Sequence, residues 1–260
     1  SVIAAPGKST DASSTIAFSS AAYTVSEGDG MGTIHLVIVP PISTPVTVTV
    51  SSGNLEAEAS HDFEGLRQSV VISPSEPTYT LALTLIDDLL VERDEQLLLT
   101  LSNIQGADSG AITQTIVTIQ DNDVAHIGLA DVSTEEDNGS VALVITQSLT
   151  STLESRVHLQ TLSGSASAAE DYTAISTTVA IPPGSRAVTL SLFLLDDDEV
   201  EGSEELTVLL SEPVNAQLAN VTATVTIYDD DRYPELSAKT AEANESDGLL
   251  PFVVTLSKAW

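Results

Sequence analysis

The chain of 260 residues sets 8 Lys and Arg against 38 Asp and Glu, a formal charge of -30 at neutral pH. Like charge repels nucleic acid and anionic membrane surfaces, so neither is expected as a partner. There is no cysteine, which excludes disulfides, and no run of about 18 apolar residues of the kind that enters a bilayer.

Residues 1–15 are small and polar and read as a loose N-terminal arm. Short alternating runs follow at 22–25, 32–39, 45–51, 69–73, 79–86, 96–101 and 113–119, separated by Gly, Pro, Ser and Asn. A second series includes runs at 141–145, 157–159, 178–181, 188–194, 206–210 and 222–227. The alternation is clearest in Leu81, Leu83 and Leu85 and again in Leu190, Leu192 and Leu194. A period of two predicts strands with one buried face, and no segment holds a helical period. The fold class expected is all-β: tandem immunoglobulin-like antiparallel β-sandwiches of about seven strands each. The first repeat spans 16–123 and the second 124–231, and residues 232–260 read as the truncated start of a third.

The repeats keep more than a core in register. Glu27 and Glu136 are 109 residues apart, as are Asp62 and Asp171, Asp87 and Asp196, Asp88 and Asp197, Glu92 and Glu201, and Glu95 and Glu204. Glu245 lies a further 109 beyond Glu136. If seven strands alternate up and down, the first, third and fifth connections share one end of the sandwich with the exit from the seventh strand. That end gathers Glu27, Asp62, Asp87, Asp88, Glu92, Glu95, Asp121, Asn122 and Asp123 in the first repeat. In the second it gathers Glu136, Asp171, Asp196, Asp197, Glu201, Glu204, Asp229, Asp230 and Asp231. The opposite end carries only Glu76 and Asp108, then Glu154 and Glu212. Charge placed for solubility alone would not sort itself by end.

Two carboxylates about 4 Å apart repel by roughly 1 kcal/mol in bulk water and roughly 4 near a protein surface. A hard cation removes that repulsion. Calcium accepts six to eight oxygen ligands at flexible geometry, magnesium keeps more of its water, and zinc wants His or Cys, neither of which repeats here. The acids outnumber what one ion needs, so two or more Ca2+ per complete repeat are expected. The 87–92 stretch lacks the alternating ligands and central Gly of an EF-hand loop. His61 stands beside Asp62, but its counterpart is Glu170, and His35, His126 and His158 are likewise unmatched, so no catalytic role is read from them. Asn138, Asn220 and Asn244 each open an Asn-x-Ser/Thr sequon.

The segments YTVSEGDG, HDF, LIDDLLVERDE and IQDND, with VSTEEDNG, EDY, LLDDDEVEGSEE and IYDDD in the second repeat, resemble the Calx-beta family. The resemblance implies an immunoglobulin-like sandwich with calcium held at one end by the eighteen residues named above. It is carried by modules of sodium/calcium exchanger regulatory regions and of large surface proteins. The function expected is a calcium-binding tandem structural or adhesion module of a larger extracellular or cell-surface protein, with calcium stiffening the junction between repeats. Its partners would be calcium ions, neighbouring repeats and an adhesive protein or glycan ligand. The alternatives are a cytosolic calcium-sensing regulatory module, or an accessory beside a catalytic domain elsewhere. Clustered carboxylates can activate water, yet no His, Lys, Ser or Arg constellation recurs with them, so the chain is not expected to be an enzyme.

Overall fold

The computed structural model describes residues 13–258 except 77, 243, 249 and 251. Most of the arm expected at 1–15 therefore lies outside the described residues. The chain divides into two compact units, one of residues 1–125 with 149–153 and one of 126–148 with 154–260.

In the first unit the strands are β1 (Thr15–Phe18), β2 (Ala22–Ser26), β3 (Met31–Val39), β4 (Val46–Asn54) and β5 (Arg67–Ile72). They continue as β6 (Thr78–Thr84), β7 (Leu90–Val91), β8 (Glu95–Gln105), β9 (Asp108–Ser109) and β10 (Gln114–Gln120). One sheet has the order β6-β3-β1-β9 and the other β2-β10-β8-β4-β5. The second unit repeats the plan with β11 (His126–Leu129), β12 (Val132–Glu135) and β13 (Ser140–Gln147). Residues of β14 (Thr150–Ser151) group with the first unit, where they run parallel to β7. The second sandwich is completed by β15 (Ser155–Ser163), β16 (Ser176–Ile181), β17 (Ala187–Phe193), β18 (Glu204–Val214), β19 (Gln217–Leu218) and β20 (Thr222–Tyr228). Its sheets run β17-β13-β11-β19 and β12-β20-β18-β15-β16.

The opening run expected at 22–25 is β2, and a further strand, β1, precedes it. β1 pairs with β3, while β2 lies in the other sheet, parallel to β10. Ser20 marks the break between them: its Oγ donates to the Ala22 carbonyl at 2.7 Å and accepts from the Ala22 N–H at 3.3 Å. A serine that serves its own backbone in this way competes with the ladder. The alternation read in the sequence sets the core: Ile34, Leu36 and Ile38 on β3, and Leu143 and Ile145 on β13, all face inward. Each such buried side chain contributes about 1.5–3 kcal/mol. The two cores, built around Phe63 and Tyr172 respectively, close separately.

Beyond the second sandwich, β21 (Leu236–Ala238) and β22 (Val254–Leu256) pair antiparallel with Leu236 opposite Leu256. Their side chains are exposed, Leu236 by 74% and Val254 by 53%, so this hairpin buries no core of its own. That matches what two strands can achieve alone.

Three backbone devices position the acidic end, and each occurs twice. Glu27 and Glu136 open single 3-10 turns that end on Gly30 and Gly139, at φ 66° and 68°. That left-handed conformation suits glycine. The Gly30 and Gly139 carbonyls then accept from Leu85 and Leu194, both at 3.1 Å, tying each turn to the end of a neighbouring strand. The loop after β4 bends through Ser60 at φ 78°, and that after β15 through Ala169 at φ 73°. Phe63 and Tyr172, both 0% exposed, plug these loops into the core and bridge to Leu85 and Leu194.

Candidate metal centre

Asp62 sits one residue before the Phe63 plug, and Asp171 one before Tyr172. The Asp62 Oδ2 accepts the Glu58 N–H at 2.6 Å, and Asp171 Oδ2 accepts from Ser167 in the same way. Their carbonyls accept from Ile86 at 3.0 Å and Leu195 at 2.9 Å, which fastens this loop to the start of the double-aspartate loop. There Asp87, Asp88, Asp196 and Asp197 are exposed. Asp88 Oδ1 closes a turn by accepting from Leu90 at 2.6 Å, and Asp197 Oδ1 does so from Glu199 at 2.7 Å. A third tie comes from the exit of the last strand. Asp121 accepts both Glu92 N–H and Asp123 N–H at 2.8 Å. Asp229 accepts Glu201 N–H at 2.7 Å and Asp231 N–H at 2.8 Å. Asp121 and Asp229 thus correspond at a spacing of 108, not 109, because the chain after β19 is one residue shorter than that after β9.

These ties bring together the acids that the sequence places at one end. Carboxylate oxygens of Glu27, Asp121 and Asp123 lie within 4.8 Å of one another. In the second repeat the same holds for Glu136 with Asp196 and Asp230, Glu136 with Asp197 and Asp231, and Asp171 with Glu201 and Glu204. A crevice of about 10 Å³, the space of roughly one water, is lined by Glu27, Asp62, Glu92, Arg93, Glu95, Ile119 and Asp121. A wider cleft of about 260 Å³ opens beside it, lined by Asp62, Asp88, Glu92 and Glu95 with Glu56, Glu58, His61 and Leu90. Glu56 and Glu58 have Ser165 and Ser167 as counterparts, so the repeat register could not single them out; two extra acids just ahead of Asp62 were the available signal.

Crowding shows in the carboxyl groups. Glu27 is raised to about 7, chiefly by burial and then by Asp121 and Asp88, against a lowering by the Asn122 N–H. Glu136 is raised to about 7 by burial, then by Asp229, Asp197, Asp196 and Asp230. Burial followed by Asp62 raises Glu92 and Glu95, and burial with Asp171 raises Glu201 and Glu204. Asp123 and Asp230 are raised too, burial again leading.

Several buried oxygens here have no partner: Asp123 Oδ2, Glu136 Oε1 and Asp231 Oδ2. A buried acceptor left unpaired costs about 1–3 kcal/mol, more when charged, so such atoms call for a ligand that supplies positive charge. The donor set is carboxylate and carbonyl oxygen with no repeated nitrogen or sulfur, which fits calcium. One protein cation reaches the second cluster: Lys258 Nζ lies 2.8 Å from Asp231 Oδ1 and donates to the Asp198 carbonyl at 2.9 Å. His61 is 3.7 Å from Glu58 and largely exposed. Of the sequons, Asn220 is occupied structurally, donating to the Leu129 and Thr222 carbonyls at 2.6 and 3.1 Å.

A tandem of β-sandwiches, each with carboxylates from three loops and the last strand's exit gathered at one end, defines the class of module. The Calx-beta domain pattern matches residues 9–123 and 120–231, and the chain belongs to that family. It is 27% identical over 251 residues to the human extracellular matrix organizing protein FRAS1, covering 88% of this chain and 6% of that protein. Against the adhesion G-protein coupled receptor V1 of Danio rerio it is 25% identical over 233 residues, covering 84% of this chain and 4% of the receptor. The chain thus spans a small fraction of these curated relatives. Among solved structures it is similar to the calcium-binding domain CBD12 of CALX1.1, at 23% identity and a TM-score of 0.43, over 79% of this chain and 82% of that one.

Proposed function

We propose that the chain is a calcium-binding tandem structural module of a larger extracellular or cell-surface protein, with two or more Ca2+ at the acidic end of each complete repeat. The observation that carries this reading is the set of buried, unpartnered carboxylate oxygens at Asp123, Glu136 and Asp231. Without a cation these groups are held against both desolvation and mutual repulsion, and burial is the leading cause of every raised carboxyl there. The ligands would be drawn from the eighteen residues named from the sequence, with the exposed Asp87, Asp88, Asp196 and Asp197 turning onto the ion. When bound, calcium would supply the positive charge that these oxygens lack.

Relatives named for the extracellular matrix and for adhesion support placement outside the cell. Asp121, Asn122 and Asp123 stand between β10, which ends at Gln120, and β11, which begins at His126. Calcium held by them would fix the linker and stiffen the junction, leaving an adhesive protein or glycan ligand to surfaces elsewhere.

Calorimetric titration with calcium tests the reading. Binding at both repeats is expected, and no heat of binding in chelator-stripped protein would overturn it. Dissociation constants near millimolar would accord with an extracellular module, whereas micromolar values would move the chain to the cytosolic sensor reading. Scattering with calcium and with chelator tests the stiffening: a radius of gyration unchanged in mean and spread would remove it.

A further inference from the structure

We infer that the two repeats hold unequal numbers of calcium ions: the Asn122 side chain takes up, in the first repeat, a cation position that the second builds from Glu136, Asp196 and Asp230. This rests on the calcium reading above. The equivalence of Asn122 and Asp230 is set by the backbone, since each follows the aspartate that accepts two N–H groups, Asp121 or Asp229.

The hydrogen-bonding environment orients the Asn122 amide with its nitrogen toward the acids, donating to Glu27 Oε1 at 2.8 Å and to Asp87 Oδ1 at 3.3 Å. Two carboxylates that would otherwise repel are thereby bridged by a neutral donor. In the second repeat Asp230 stands at that point and can donate nothing while ionised. Oxygens of Glu136, Asp196 and Asp230 come within 4.8 Å of one another. The residue at their centre, Glu136, is 9% exposed, and its Oε1 has no partner. A carboxylate with a buried orphan oxygen stands against two others, Asp196 and Asp230, in one repeat, while its counterpart, Glu27, receives a hydrogen bond in the other.

A second exchange accompanies the first. Gly28 corresponds to Asp137, and a Cβ built on Gly28 would meet the Asn122 carboxamide at 2.6 Å. A side chain at position 28 would therefore require the bridging amide to shift. Where Asp230 replaces the amide, Asp137 stands at the equivalent position and adds its own repulsion to Asp230. Gly28 with Asn122 carries no charge, whereas Asp137 with Asp230 carries two. Asn122 can reach a cation only by turning its oxygen inward and giving up both hydrogen bonds. The first repeat therefore satisfies internally what the second leaves for an ion.

Native mass spectrometry of the full chain at saturating calcium counts the ions, and melting curves confirm that each variant is folded. Asn122→Asp is expected to add one ion relative to wild type and Asp230→Asn to remove one. A combined Asn122→Asp, Asp230→Asn chain should return to the wild-type count. An unchanged count in Asn122→Asp would overturn the inference, and that arm stands even if Asp230→Asn fails to fold. A wild-type chain that binds no calcium would instead overturn the calcium reading itself.

Discussion

Asp121 and Asp229 accept the same two N–H groups, and Asp62 and Asp171 cap the same turn, yet the charges set on this shared mould differ between the repeats. In the first, Asn122 bridges Glu27 and Asp87. In the second, Asp230 adds to the acids and Lys258 reaches Asp231 from the third segment. The backbone devices need their carboxylates as hydrogen-bond acceptors, which explains why Asp62, Asp171, Asp121 and Asp229 recur. Positions outside these backbone ties differ between the repeats: Asn122 against Asp230, Gly28 against Asp137, Glu56 against Ser165. The acidic end thus has two layers of requirement, and only the first is structural.

The sharpest break between the repeats would come from the plugs. Phe63→Ala and Tyr172→Ala each remove a fully buried ring and should cost about 3–5 kcal/mol. Each should also abolish calcium binding in its own repeat, because Asp62 or Asp171 loses its seat. Denaturant unfolding followed by calcium titration measures both effects. A plug variant that unfolds early but keeps its affinity would separate the core from the site.

Calcium itself should come next. At 100 times the dissociation constant, each independent site adds about 2.7 kcal/mol, which melting with calcium against chelator reads directly. Replacing Asp87 and Asp88 by Asn should shrink the gain of the first repeat alone. Equal melting temperatures with and without calcium would leave the repeats as plain sandwiches.

Much of the mould was legible in the sequence, since alternating Leu and Ile residues and the 109-residue register mark strands and loops alike. Two features were hidden. The change of sheet between β1 and β2 depends on Ser20 serving the backbone of Ala22, a local contest that hydrophobic alternation does not encode. Glu56, Asp137 and Lys258 reach the acidic ends through three-dimensional proximity without any counterpart in the other repeat, so register could not flag them. Convergence of the acids was legible because strand alternation alone dictates which loops share an end.

Protonation offers a smaller and directional test. Glu27 and Glu136 rise from 4.5 to about 7 in the folded, metal-free chain. Between those values the fold holds protons that the unfolded chain has released, so stability falls as pH rises. The contribution is full below about 4.5 and gone once pH has climbed through about 7. Chelated protein should therefore melt higher at pH 5 than at pH 8. Excess calcium should reverse the order, because the ion requires ionised carboxylates. Melts at the two pH values, each with chelator and with calcium, check the crossing; the same order in both would contradict it.

The smallest expected effect belongs to Lys258. Its ammonium lies 2.8 Å from Asp231 Oδ1, with the two side chains 30% and 17% exposed, so solvent screens the pair only partly. A pair of this kind is worth about 0.2–1 kcal/mol. Calcium that uses Asp231 must displace the ammonium, and the pair's energy is then subtracted from binding. Lys258→Gln should raise affinity in the second repeat by roughly 1.5- to 5-fold, the equivalent of that energy, and leave the first unchanged. Metal-free stability should fall slightly at the same time, since Asp231 loses its counter-charge while its Oδ2 is already unpartnered. Calorimetry at low and high salt separates the contributions: the difference between Lys258→Gln and wild type should narrow as the Debye length shortens. Equal affinities at low salt would show that the ammonium and the ion do not compete, and would place the asymmetry of the two repeats wholly in Asn122 and Asp230.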